Sequence, residues 1–149
     1  MKHRFNGHAQ FTGGYEAAGR LTTDNLNTQI SIPGAMGGAD VGTNPDELLL
    51  GAATTCFIIT LSVMFKRHGL TLADLNVKST AVVDVTDGVF TYEAIHYDVT
   101  IDTTAPEDRR SLITRFVHKS EASCMITRAL AGNVDVIIDD ITINFIEES

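Results

Sequence analysis

NPDELLLGAATTCFIITLSVMFKRHG, residues 44–69, is the stretch on which the fold turns. Its first residues make a helix start: Asn44 suits the cap, Pro45 the first helical position, and Glu47 stands three residues on, where its side chain reaches back to the cap amide. Its last residues make a stop. Lys66, Arg67 and His68 complement the negative end of the helix dipole, and Gly69 takes the left-handed conformation that ends a helix. The spacing predicts a helix over residues 45–68, roughly 36 Å long at the α-helical rise. No charge interrupts it between residues 48 and 65, a length at which a membrane span becomes conceivable. Gly51, Thr54, Thr55, Thr60 and Ser62 interrupt it instead, and the half-apolar strands elsewhere in the chain need a core to pack on. A buried central helix meets both requirements, and no membrane is expected.

On the N-terminal side, residues 3–32 read as three short strands with turns at Gly13-Gly14 and Asp24-Asn25. A glycine- and proline-rich loop, PGAMGGADVGTNP (residues 33–45), then leads into the helix. On the C-terminal side, strands over residues 75–85 and 89–101 flank Asp87-Gly88, the dipeptide best suited to a tight primed turn. Pro106 and Glu107 open a helix that runs to about residue 118, residues 120–123 lead into a short one ending near Gly132-Asn133, and residues 134–146 form a strand whose inward face switches at Asp139-Asp140. With no repeat, linker or low-complexity tract, the expectation is a single α+β domain over residues 1–149, an antiparallel sheet wrapped around one long helix.

A chain of 149 residues with 44% hydrophobic content can bury a core without metals or disulfide staples. The net charge of −8, with 11 Lys plus Arg, argues against a nucleic-acid partner, which needs a concentrated basic surface. The opening MKHRFNGHAQFTGG lacks the apolar run of a secretory signal. A cytoplasmic location is therefore expected, and in that reducing compartment two cysteines are free, redox-active or metal-binding rather than permanently bridged. His3, His8, His68, His96 and His118 show no HxxxH or HExxH spacing, so no metal site is expected.

Cys56 lies mid-helix among apolar residues, and from position alone it reads as a small buried hydrophobe. Cys124, next to a helix start, lies where unpaired amides and the positive end of the dipole favour a thiolate. Phe57, Ile58, Leu61, Met64 and Phe65 are spaced as core residues, some of which also suit the lining of a pocket.

NPDELLLGAATTCF resembles the signature of the OsmC/Ohr superfamily, named for osmotically induced protein C and organic hydroperoxide resistance protein, in which Asn-Pro and acidic residues open a long helix carrying a cysteine followed by Phe. SCMITRALAGNVDV, residues 123–136, resembles the family's second-cysteine segment, and Gly19-Arg20 its arginine region. The resemblance spans nearly the whole chain. It implies an intertwined homodimer with sites at the subunit interface, Cys56 as the peroxidatic cysteine, Cys124 as the resolving cysteine, and Arg20 as the cation that keeps the first thiol ionised. Asp46 matches the arginine's acidic partner, usually Glu, and Glu47 next door is the alternative. Met125 departs from the usual Pro after the second cysteine, which places the chain among general OsmC-like proteins more readily than among dedicated Ohr enzymes.

The activity implied is reduction of a small hydrophobic hydroperoxide, alkyl or fatty-acid, through a Cys56 sulfenic acid and a Cys56 to Cys124 disulfide. No bound cofactor is implied; an external dithiol such as dihydrolipoamide reopens the bridge. Desolvation raises the pKa of a thiol in an apolar helix, so a nearby cation is required, and Arg20 is the one that the resemblance offers. Ten helical residues place Asp46 roughly 15 Å from Cys56, too far to share a small site directly. The rival is a non-enzymatic OsmC-like protein that binds a hydrophobic small molecule or serves as a redox-responsive partner.

Overall fold

Eleven of the thirteen residues of strand β4 (Asp74–Thr86) and thirteen of the fifteen of its partner β5 (Val89–Thr103) lie in the two strands expected on either side of Asp87-Gly88, whose two residues both take positive φ (52° and 76°), as a primed turn requires. The computed structural model describes residues 1–149 and divides into two compact units, Met1–Leu48 and Leu49–Ser149, the boundary falling inside the long helix.

In the first unit β1 (Gly7–Thr12), β2 (Ala18–Thr23) and β3 (Asn27–Ser31) pair antiparallel in chain order, as the turn residues predict. Gly19 is required there: a Cβ would fall 2.2 Å from the Gln10 carbonyl oxygen. Every residue of β1 is exposed, and only Ser31 and Asn44 are buried in the unit. A three-stranded sheet needs a covered apolar face for stability.

Helix α1 (Pro45–Arg67) starts where the sequence places it and stops one residue short of the expected His68. The Glu47 N–H donates to Asn44 Oδ1 at 2.9 Å, and Glu47 Oε1 accepts from Asn44 Nδ2 at 3.1 Å. The cap is therefore reciprocal through the side-chain amide, where the sequence suggested the backbone amide. Gly69, at φ 66°, terminates the helix.

The second unit is built on β4 (Asp74–Thr86) and β5 (Val89–Thr103), an antiparallel hairpin. β6 (Asp135–Phe145) lies on the other side of β5 and runs parallel to it, so the sheet is mixed, correcting the all-antiparallel expectation. Parallel neighbours need a crossover connection. Here it is a single 3-10 turn (Glu107–Arg109), α2 (Arg110–Ser123) and α3 (Met125–Leu130), helices that the sequence did announce but whose consequence for strand direction it did not. α2 runs on past residue 118, and the break falls at Cys124, which is extended (φ −55°, ψ 130°). The face switch at Asp139-Asp140 is a bulge: the register slips between Tyr97 and Asp98, and Asp139 turns to meet His96 Nδ1 at 3.0 Å.

Alternate residues of β5, namely Ile95, Tyr97, Val99, Ile101 and Thr103, face the core. They share it with Ala53, Phe57, Leu61 and Phe65 of α1 and with Ile113, Phe116 and Val117 of α2. Phe57 stacks on Tyr97 with centroids 5.0 Å apart, and Phe65 meets Phe116 edge-on at 5.8 Å. Spacing by four puts the α1 core residues on one stripe, leaving Ile59 63% and Val63 41% exposed. Within one chain α1 is thus long and apolar enough to cross a membrane by length and composition, and buried along one face only.

Candidate active site

Cys56 sits in the middle of α1, half-buried, and Cys124 is buried at the kink between α2 and α3; both are free thiols. The two thiols are near enough to influence each other's ionisation, and they do so oppositely. Burial pushes the Cys56 thiol up, but the Cys124 thiol, the backbone N–H groups of Ile126 and Met125 and the Thr60 hydroxyl together outweigh it and bring Cys56 below the ordinary value of 9.0. Burial and the Cys56 contact push Cys124 above that value, against the opposing pull of the Thr127 N–H and hydroxyl and the Ile126 N–H. Of the two sulfurs, Cys56 is thus the readier to ionise and Cys124 the more reluctant.

The amides at the start of α3 follow from the kink. Because Cys124 is extended, the first N–H groups of the new helix are released from helical bonding and turn toward the sulfur of Cys56. Met125 matters for the same reason: it keeps a backbone donor that a proline in its place would lack.

Every group that lowers the Cys56 pKa here belongs to the second unit. Arg20, exposed on β2, donates through Nη1 to Asn27 Oδ1 at 2.6 Å. The Glu47 carboxylate accepts from Thr43 and Asn44 at the helix start, and Asp46, half-buried, occupies the first turn of α1 beside it. The structure therefore joins Cys56 with Cys124, and holds Arg20, Asp46 and Glu47 in the first unit.

Four side chains at the site went unread in the sequence. Thr60 stands four residues after Cys56, on the same helix face, and that spacing was a usable signal. Thr127 follows Cys124 by three. Tyr97 and Glu121 carried no local sign: Tyr97 is one aromatic in an alternating strand, and Glu121 one charge on an amphipathic helix, its carboxyl raised by burial.

A groove of about 440 Å³ runs beside the pair, from Thr60 and Ser123 along Ile59, Val63 and Met64 to Arg67, His68 and Lys119. Its wall is apolar and its far end basic. No group of three or more metal-ligating side chains gathers in the structure.

Comparison with known proteins identifies the family. Residues 37–139 match the family described as OsmC-like protein. The chain is 45% identical to the uncharacterized protein YmaD of Bacillus subtilis, over 92% of this chain and 93% of that one. It is 26% identical to an organic hydroperoxide resistance protein of Xanthomonas axonopodis, over 90% and 92% of the two chains. Among solved structures, an OsmC-like protein from Mycoplasma pneumoniae superposes with a TM-score of 0.76 at 18% identity, covering 97% of this chain and 99% of the other, a likeness of fold. With the family matched across most of its length and a full-length relative at 45% identity, the chain belongs to the OsmC-like protein family.

Proposed function

We propose that the protein is a two-cysteine peroxidase that reduces organic hydroperoxides, with Cys56 attacking and Cys124 resolving. The observation that carries this reading is the pairing of a free thiol in the middle of α1 with one at the kink before α3, each acting on the other, one pulled below and the other pushed above its ordinary pKa. In the first step the Cys56 thiolate attacks the terminal peroxide oxygen: an S–O bond forms, the O–O bond breaks, and the alkoxide leaves and takes up a proton as the alcohol. Cys124 then attacks the resulting sulfenic acid, forming the S–S bond and releasing water. An external dithiol of the dihydrolipoamide kind reduces the disulfide, and no bound cofactor takes part. The family resemblance supports Arg20 as the cation that orients the peroxide, with Asp46 or Glu47 as its acidic partner. That relatives are named organic hydroperoxide resistance protein supports the substrate class.

The groove supports a substrate with a hydrocarbon tail, and its Arg67, His68 and Lys119 end suits a tail that finishes in a carboxylate, as in a fatty-acid hydroperoxide. The test is turnover with dithiothreitol or dihydrolipoamide as reductant. The expected order is linoleic acid hydroperoxide, then cumene hydroperoxide, then hydrogen peroxide. Equal rates for all three would remove the substrate assignment, and no consumption of any would leave the protein as a binder of hydrophobic molecules or a redox-responsive partner.

A homodimer is part of the same proposal. The apolar outer face of α1 at Ile59 and Val63 and the uncovered sheet of the first unit both call for a partner surface, which a second copy supplies by making α1 the central helix of an intertwined pair. Sedimentation at micromolar concentration is expected to give twice the chain mass of 16.1 kDa, and a monomer would overturn this part. Two free thiols that must be returned to the reduced state suit the cytoplasm, and the acidic balance of the chain suits neither nucleic acid nor a membrane surface as partner.

A further inference from the structure

The two sulfurs differ in what can reach them. Cys56 is half-buried on α1, whereas Cys124 is 1% exposed and belongs to the core of the second unit. Cys56, Thr60, Val63 and Arg67 follow one another at steps of four, three and four, which sets them on one face of the helix. The Thr60 hydroxyl donates to the Cys56 carbonyl at 2.8 Å, and Thr60, Val63 and Arg67 all line the groove between α1 and α2. Ser123, next to Cys124 in the chain, and Lys119, one turn earlier, form the opposite wall. A second hollow of about 290 Å³ shares Met64, His68 and Lys119 with the first and extends it over Phe116 to Arg115. The ion pairs of the chain are His96 with Asp139 and Arg110 with Glu107, so Arg67, Arg115 and Lys119 bring uncompensated positive charge to this groove in a chain of net charge −8.

We propose that the reducing dithiol enters through this groove and attacks the sulfur of Cys56, never that of Cys124, and that the basic end of the groove selects a reductant with a negative charge on an apolar arm. The inference rests on the two-cysteine reading above. Exchange begins when a thiolate reaches one sulfur of the bridge, and access decides which. The reductant's thiolate bonds to Cys56 Sγ, the Cys56 to Cys124 bond breaks, and Cys124 leaves with the electron pair and takes up a proton. The reductant's second thiolate then attacks its own sulfur bound to Cys56, closing a cyclic disulfide and releasing Cys56 as a thiolate. Leaving-group chemistry alone favours the opposite choice in the first step, because Cys124 is held above its ordinary pKa and departs less readily. Access overrides it: a thiolate meets Cys124 only if the kink between α2 and α3 opens. In the second step Cys56, the more acidic thiol, is the better leaving group, so the mixed disulfide is short-lived. From Thr60 to Arg67 the groove follows seven residues of helix, roughly 10 Å, which an apolar arm spans while its charged end meets Arg67 and Lys119.

The experiment forms the bridge in the purified protein with diamide, without peroxide, and opens it with thioglycolate, a monothiol that cannot release itself by ring closure. After acid quenching and alkylation with N-ethylmaleimide, peptide mass spectrometry is expected to find thioglycolate on Cys56 and the maleimide on Cys124. In parallel, dihydrolipoate and dihydrolipoamide, which share one dithiol arm and differ in carboxylate against amide, are compared as reductants of the same bridge. The carboxylate is expected to react about fivefold faster, the scale of two partly exposed charge contacts. The double variant Arg67→Gln/Lys119→Gln, which alters two exposed side chains, is expected to erase that difference. Thioglycolate on Cys124 from the earliest time point, or equal rates for the two reductants with the unsubstituted protein, would overturn the proposal and leave the two-cysteine reading standing. Failure of diamide to form any bridge would instead sink that reading and the proposal with it.

Discussion

Replacing Cys56 with serine is expected to abolish hydroperoxide turnover, by about a thousandfold or more, because a neutral hydroxyl cannot take over the displacement at oxygen that a thiolate performs. Coupled consumption of cumene hydroperoxide and dithiol checks this, and turnover within tenfold of the starting protein would mean that the chemistry lies elsewhere. The pH dependence has a definite sign. The reactive form of Cys56 is the thiolate and its pKa lies below 9.0, so the rate of the first step should rise with pH and level off before an ordinary thiol would. Cys124→Ala removes the foremost of the hydrogen bonds that lower it, so the plateau should move to higher pH while the sulfenic acid, now unresolved, becomes over-oxidised.

Phe57→Ala should be among the most damaging substitutions in the core. Phe57 is fully buried, follows Cys56 directly, and stacks nearly parallel to Tyr97, with 11° between the rings. Truncation of a buried aromatic to alanine costs about 3–5 kcal/mol, a large share of the ~5–15 kcal/mol by which a domain is stable. Chemical denaturation should register the loss as a lower midpoint with little change in slope. A loss below ~1 kcal/mol would mean that the second unit closes over the vacancy far better than close-packed cores usually do. Phe57→Leu, which keeps most of the volume, should retain more of the stability and serves as the control.

The long helix and the hairpin were legible because their signals are local: a cap, a dipole-matched end, and a dipeptide that accepts two positive φ angles. The parallel pairing of β6 was not, because strand direction is fixed by where α2 and α3 return the chain, and no residue in β6 encodes that return. A similar division holds at the site. The two cysteines stood out as residue types, and their partnership came from the family resemblance. What acts on them did not stand out, since the amides of Met125 and Ile126 are present in any sequence and become donors only because Cys124 breaks the helix in front of them. Which residues of α1 stay exposed within one chain, Ile59 and Val63 among them, was likewise hidden, because an apolar sequence specifies that a surface must be covered without saying which part of it the same chain covers.

The crossover between β5 and β6 also sets an order of assembly. The β4–β5 hairpin closes through neighbouring residues, a microsecond event, whereas β6 can dock only after residues 104–134 have been gathered into α2 and α3. Cys124 lies inside that late-arriving segment, so a nascent or refolding chain passes through a stage in which its two sulfurs are unacquainted and open to bonding with other molecules. Yield on refolding should accordingly be higher with reductant present than in air.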